Sequence, residues 1–451
     1  MNLVYNIKDK PKFGQLLIFA FQQLLAILAA TIAVPAIVGN GMSQSAALFG
    51  AGVGTIVYLL FTKFRSPVFL GSSFAFLGSM FAAFGGAVSA EAGYAGLLIG
   101  AAMAGLVYVF IALVVKFAGV AWINKLMPAV VIGPTVAIIG LSLAGNAIGD
   151  SLAGAYDVEA GAYVMTTNVW VSLICALVTL FVVIICSVYG KKMMKLIPFI
   201  IGILAGYAVA TIFTLIGMGT GNEALKIIDF SLFNNMQWVP DFSFLKAAKG
   251  IGQIDAKYIA TVAVAYIPVA FVVFAEHIAD HKNLSSIIDQ DLLEEPGLHR
   301  TLLGDGVGSV AGAFFGGCPN TTYGESVGCV AITGNASVVT ILATAIMAMV
   351  ISFFGPFVTF LATIPGCVMG GVCITLYGFI AVSGLKMVQT VDLNQNKNLF
   401  VVSVILIAGI GGMTLKIGQI TLTEVACALI LGIIVNQVLS RKKSDTDNSA
   451  E

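Results

Sequence analysis

The sequence predicts an all-α polytopic membrane protein with about fourteen transmembrane segments. Three observations lead there. Hydrophobic residues make up 59% of the chain and charged residues only 10%, with a mean hydropathy of +1.01, which is far more apolar than a soluble domain. Apolar runs alternate with short polar breaks along all 451 residues, and one helix needs roughly 20 apolar residues to cross a bilayer. One stretch, Gly316 to Gly334 (GGCPNTTYGESVGCVAITG), interrupts this pattern with residues that cannot all stay helical.

Spans are predicted near 14–38, 44–62, 67–88, 94–115, 126–145, 166–188 and 195–217, followed by a polar loop at 218–256. A second set is predicted near 257–280, 299–315, 318–333, 337–356, 361–384, 398–414 and 419–438, with a tail at 441–451. Lys8, Lys10 and Lys12 precede the first apolar run, and no convincing small-residue cleavage site follows it, so it reads as a retained span. A cytoplasmic N-terminus collects Lys63, Arg65, Lys116, Lys125, Lys191, Lys192, Lys195 and Arg441 to Lys443 inside, and leaves the acidic connection at Asp150, Asp157 and Glu159 outside. Of the basic residues left outside, Lys226, Lys246, Lys249 and Lys257 belong to the long loop or its edge, where charge carries little topological weight. Both termini are therefore predicted to be cytoplasmic.

Within the interrupted stretch, Pro319 lacks an N–H, Asn320 favours turns, and Thr321, Thr322 and Tyr323 favour strand. Gly324, Ser326 and Gly328 permit close backbone approach, and Glu325 suits the positive end of a new helix. The expectation is a short extended piece feeding a half-helix; the alternative is a re-entrant loop or an extramembrane hairpin. An internal repeat bears on the choice. Gln22-Gln23, Gly71-Ser72-Ser73-Phe74 and Met127-Pro128-Ala129-Val130 answer Glu276-His277, Asn320-Thr321-Thr322-Tyr323 and Ile364-Pro365-Gly366-Cys367. With an odd number of spans per unit, the second copy enters from the opposite side. Spans 3 and 10 then meet near the midplane, with short strands paired edge to edge and two helix N-termini aimed at one point. Such a place suits a small, flat, polar molecule.

Glu276, inside an apolar span, and Glu325, at the half-helix start, are the leading candidates for chemistry, because an intramembrane carboxylate is costly unless it serves a function or is satisfied by a neighbouring helix. Asp280 follows Glu276 by four residues and shares its helix face, whereas His277 and His281 are turned about 100° and 140° away from Glu276. Two such carboxylates repel each other in apolar surroundings, so a proton shared between them could be taken up on one side and released on the other. The alternative for Asp280 is a span end paired with Lys282. His281 stands one step beyond as a second proton-coupling candidate. His299 reads as a turn or helix-start residue, and Gln22 and Gln23 as hydrogen-bonding contacts between helices. Seven cysteines form no CxxC pair, so neither a disulfide framework nor a metal site is expected. With 22 basic and 22 acidic residues and no dense basic block, nucleic acid is an unlikely ligand class, and no nucleophile triad or nucleotide motif points to an enzyme.

The ordered run Ala275-Glu276-His277, Asp291-Leu292-Leu293, Pro296-Gly297-Leu298-His299-Arg300 and Pro319 to Glu325, together with Gly71-Ser72-Ser73-Phe74-Ala75-Phe76, resembles the nucleobase/ascorbate transporter family, and within it the bacterial uracil permeases. The likeness extends over nearly the whole chain. It implies fourteen spans in two inverted sevens, with spans 1–4 and 8–11 as a core and spans 5–7 and 12–14 as a gate. It further implies proton-coupled symport of uracil or a related nucleobase across the cytoplasmic membrane, driven by the proton gradient without a cofactor, and a homodimer set in membrane lipid. The resemblance maps substrate binding onto Glu276, Glu325 and the backbone of Phe74 and Gly324; Tyr323 and Phe74 could wall the ring, and Ser73 adjoins it. Relatives often carry histidine where Gln23 and Asp280 stand here. A xanthine permease of the same family, or an anion exchanger of the related two-sevens fold, is the alternative reading.

Overall fold

The structure is a computed structural model describing residues 3–119, 128–152, 156–157, 162–191, 193–417 and 420–447. Lys125, Met127, Glu159 and Lys192, used in the repeat and charge arguments, lie outside the described residues.

Helix α1 spans Phe13–Val38 and α2 Gln44–Phe61, the latter capped by Ser43, whose hydroxyl accepts the Ala46 N–H at 3.2 Å. The chain then leaves helical geometry. Strand β1, Leu70–Ser72, passes through a single 3₁₀ turn at Phe74–Phe76 into the short α3, Leu77–Gly85. Helix α4 (Ala90–Ala118) follows, then α5 (Ala129–Ser142) and α6 (Ala144–Ser151). A small hairpin pairs β2, Tyr156–Asp157, with β3, Ala162–Tyr163. Helices α7 (Thr167–Tyr189), α8 (Met193–Leu196) and α9 (Pro198–Thr220) complete the first half. In the loop that follows, α10 (Ser243–Gly250) lies against α4.

The second half opens with α11, Ala256–Ile288, and α12, Leu298–Gly316. Strand β4, Asn320–Thr322, then leads into the short α13, Gly324–Thr333. After it come α14 (Val338–Ile351), α15 (Gly355–Thr363), α16 (Gly366–Val388) and α17 (Asn396–Ile410). A hairpin of β5 (Leu415–Ile417) and β6 (Ile420–Leu422) precedes α18, Glu424–Asp447. Among the described residues eight helices are long and apolar enough to cross a membrane, counting α5 and α6 as one, or nine if α14 and α15 are taken as a single span bent by 82°. The chain is thus a multi-pass membrane protein.

Three of the boundaries that differ from expectation have a local cause. The span expected to end at 280 continues to Ile288, because its polar residues stay in phase with the helix: the His281 Nδ1 meets the His277 carbonyl at 2.8 Å and the Ser285 hydroxyl donates to the His281 carbonyl at 2.6 Å. Asp280 therefore sits two turns inside α11 and does not end it. The span expected at 361–384 begins only at Gly366, since Pro356 starts a separate helix at Gly355 and Pro365 precedes the next. The last span, expected from 419, begins at Glu424 after the β5–β6 hairpin, and its helix continues to Asp447 through most of the expected tail.

Helices α2 and α12 approach closely where glycines replace side chains. A Cβ at Gly54 would stand 2.7 Å from the Gly308 carbonyl oxygen, so the two backbones touch directly, as small residues allow in membranes. Helices α5, α7, α9, α16, α17 and α18 pack chiefly on one another, while α1, α2, α11 and α12 pack on the β1 and β4 strands and α4 and α14 pack on those helices. Gly54→Leu should force α2 from α12 at a cost of about 1–3 kcal/mol. The thermal midpoint of the purified protein is expected to fall, whereas Gly219→Ala, with no atom near its added methyl, should leave it unchanged.

Candidate functional site

The two strands pair antiparallel, with Leu70 opposite Thr322, Gly71 opposite Thr321 and Ser72 opposite Asn320. The Ser73 N–H donates to the Pro319 carbonyl at 2.9 Å and the Tyr323 N–H to the Phe69 carbonyl at 3.3 Å, which extends the ladder at both ends. All six strand residues are buried. Neighbours take up several other polar groups at the junction, though not the Ser72 hydroxyl. The Leu70 N–H donates to the Thr55 hydroxyl at 3.0 Å, the Asn320 amide to the Gly50 carbonyl at 3.2 Å, and the Tyr323 hydroxyl to the Ser72 carbonyl at 2.8 Å.

Where each strand ends, a helix begins, and both beginnings face α11. The 3₁₀ turn opens at Phe74 and α13 at Gly324; first-turn N–H groups have no acceptor within their own helix. Between these two ends and α11 lies a cavity of about 360 Å³. Ser73, Phe74, Glu276, Asp280, Thr322, Tyr323, Gly324 and Glu325 line one side; Val136 and Ile139 of α5, Phe199 of α9, and Leu376, Phe379, Ser383 and Met387 of α16 line the other. Gly324 is open to the cavity, and a Cβ there would meet only the Asp280 carboxylate, at 3.9 Å. Three carboxylates thus share one wall with no lysine, arginine or histidine among the described lining residues. The Thr322 hydroxyl donates to Asp280 at 2.7 Å, so Asp280 is anchored to the strand and not paired with Lys282. The Phe74 ring stands edge-on to Tyr377 at 5.9 Å.

Of the residues singled out from sequence, Glu276, Glu325, Asp280, Phe74, Gly324, Tyr323 and Ser73 come together on this cavity. His281 does not. Its ring is fully buried on the other side of α11, with Nε2 at 2.7 Å from the Tyr58 hydroxyl, and it stacks on His277 at 4.0 Å. Gln23 also stays off the cavity: its amide donates to the Ser326 hydroxyl at 2.6 Å, which in turn accepts the Phe69 N–H at 3.1 Å, so it ties α1 to α13 and β1. His299 stands in the first turn of α12. Thr322 as the partner of Asp280 has no signal in the sequence beyond its place in the interrupted stretch, and the α5 and α16 side of the cavity has none, being ordinary apolar helix. A larger depression of about 740 Å³, lined in part by Asn146, Asp150, Asn168 and Lys226, contains neither strand junction nor α11.

Comparison with known proteins agrees with this architecture. The chain is 38% identical to the uracil permease of Bacillus caldolyticus and 36% identical to that of Bacillus subtilis strain 168, in each case over 99% of this chain and 97% of the relative. Its fold is similar to that of the transmembrane domain of the cyanobacterial bicarbonate transporter BicA, with a TM-score of 0.60 at 16% identity, covering 96% of this chain and 100% of that one. The model of the Permease family matches residues 14–418, and the chain therefore belongs to that family of transport proteins.

Proposed function

We propose that the protein imports uracil across the cytoplasmic membrane by proton symport. The observation that carries this reading is the acid-lined cavity at the β1–β4 junction, in a chain whose full-length relatives bear the name uracil permease. A uracil ring offers two N–H donors beside two carbonyl acceptors. Glu276 and Glu325 suit the donors, and the main-chain N–H groups at Phe74 and Gly324 suit the carbonyls. Phe74 and Tyr323 wall the ring, with Ser73 beside it. An anion exchanger on the same fold is disfavoured by electrostatics: a wall of three carboxylates without a cation repels an anion.

In this reading the chain makes fourteen spans in two inverted sevens, two of them the strand-interrupted β1–α3 and β4–α13. Spans 1–4 and 8–11 form a core that carries the site, and spans 5–7 and 12–14 form a gate that supplies the apolar wall. The packing of α5, α7, α9, α16, α17 and α18 on one another supports that division. Rocking of core against gate exposes the cavity to each side in turn. Both termini lie in the cytoplasm, and the protein pairs as a homodimer within the lipid. Asp280, one turn from Glu276 and hydrogen-bonded to Thr322, is the coupling carboxylate; His281, off the cavity, is not.

Uptake of radiolabelled uracil by cells carrying the gene, in competition with unlabelled xanthine, thymine and sulfate, tests the substrate. Uptake of the label with little inhibition by xanthine or sulfate is expected; strong inhibition by xanthine or sulfate would move the protein to another substrate class. Glu276→Ala and Glu325→Ala each remove a charge-assisted hydrogen bond worth about 1.5–3 kcal/mol. Uracil binding to either purified variant should weaken by at least about tenfold, and parent-like affinity in both would remove them from the site. Asp280→Asn should retain uracil binding and exchange but lose accumulation driven by an imposed pH gradient, with His281→Gln less harmful. Concentrative uptake by the Asn variant would shift coupling to Glu276.

A further inference from the structure

Behind the cavity wall, on the other face of α11, lies a second buried polar group that substrate recognition does not use. His277, Asp305 and Thr301 are at most 1% exposed. The His277 Nδ1 is 2.7 Å from the Asp305 Oδ2, and its Nε2 is 2.9 Å from the Thr301 hydroxyl oxygen. The protons can be placed by counting donors. Threonine has a single hydroxyl proton, and that of Thr301 is directed at the Leu298 carbonyl, 3.0 Å away. The Nε2 must then carry a proton and donate to Thr301. At 2.7 Å, a bare Nδ1 cannot face a bare carboxylate oxygen without repulsion, so one more proton lies between Nδ1 and Oδ2. The Asp305 Oδ1 is buried without a hydrogen-bond partner, which a pair of zero net charge tolerates better than a lone carboxylate would.

The neighbouring histidine is held by a different set of groups. Tyr58 donates to the Ser66 hydroxyl at 2.7 Å, its oxygen lies 2.7 Å from the His281 Nε2, and the His281 Nδ1 donates to the His277 carbonyl at 2.8 Å. The His277 and His281 rings stack with their centroids 4.0 Å apart. The titratable groups facing the His277–Asp305 pair are Tyr58 of α2, Tyr108 of α4, and His281, Glu276 and Asp280 of α11.

We infer that His277 and Asp305 form a neutral pair that shares one proton, keeps it throughout transport, and acts as a positioning element for Glu276 and Asp280. It clamps α11 to α12 on one side, while His281 and Tyr58 clamp α11 to α2 on another. Together they fix the rotation of α11, so that residues 276 and 280 face the cavity. Because the pair bears no net charge, it adds nothing to the acid field of the cavity and does not compete for the coupled proton.

The chain has three histidines, so ¹⁵N-histidine NMR of the parent protein in lipid nanodiscs resolves them, with His277→Gln and His281→Gln for assignment. The His277 Nε2 should be protonated and unchanged from about pH 5 to pH 8. A bare Nε2, or a titration within that range, would overturn the inference. A second arm rests on the uracil-transport reading, which the NMR arm does not need. His277→Leu should raise the KM for uracil by about tenfold at parent membrane abundance, with kcat and the pH midpoint of uptake unchanged. An unchanged KM, or a shifted midpoint, would refute the positioning role. Should that variant fail to reach the membrane, the NMR result on the parent decides.

Discussion

The structure depends on six buried residues forming hydrogen bonds across its centre. A backbone that leaves the helix at membrane depth exposes N–H and C=O groups that lipid cannot satisfy. Here β1 and β4 satisfy each other, Leu70–Ser72 against Asn320–Thr322, so two interruptions that would each be costly alone become tolerable together. The pairing also has a geometric result: two helices start at its ends, and both starts face α11. The cavity is a consequence of that solution.

The strand pair in turn needs its surroundings. Thr55 bonds to the backbone of Leu70, Asn320 reaches the Gly50 carbonyl, and Ser326 receives both the Gln23 amide and the Phe69 N–H. These contacts require α2, α12 and α1 to approach closely. Glycine at positions 50, 54, 308 and 312 provides that approach, because a side chain at any of them would strike backbone or the Asn320 amide. Packing and polar satisfaction are therefore one constraint here, since the glycines bring the backbone carbonyls within reach of the strand side chains.

The likeness to a bicarbonate transporter's membrane domain shows the fold alone. In this chain one wall of the cavity is acidic. Glu276, Asp280 and Glu325 face it with no basic partner among the described lining residues, and the opposite wall is apolar except for Ser383. A neutral molecule with N–H donors complements such a wall, whereas an anion does not. The chemistry proposed for this chain resides in a few side chains at the strand junction.

Composition and spacing alone determined the membrane class, because burial in lipid demands long apolar runs. They also located the interruption at Pro319 to Glu325, because proline, threonine and glycine limit local geometry whatever surrounds them. The four-residue interval between Glu276 and Asp280 likewise placed both on one helix face. Which face of α11 would meet the cavity was a tertiary matter. His281 lies one residue from Asp280, yet points at Tyr58, because helical phase separates the two by about 100° and only the positions of α2, α12 and α13 decide what each direction meets. The same holds for the 82° bend between α14 and α15, since hydropathy has no direction, and for the apolar wall from α5 and α16, whose valine, leucine and phenylalanine match any other buried helix surface. Local covalent geometry and solvent preference are written residue by residue, but the meeting of surfaces far apart in the chain exists only once the helices have packed.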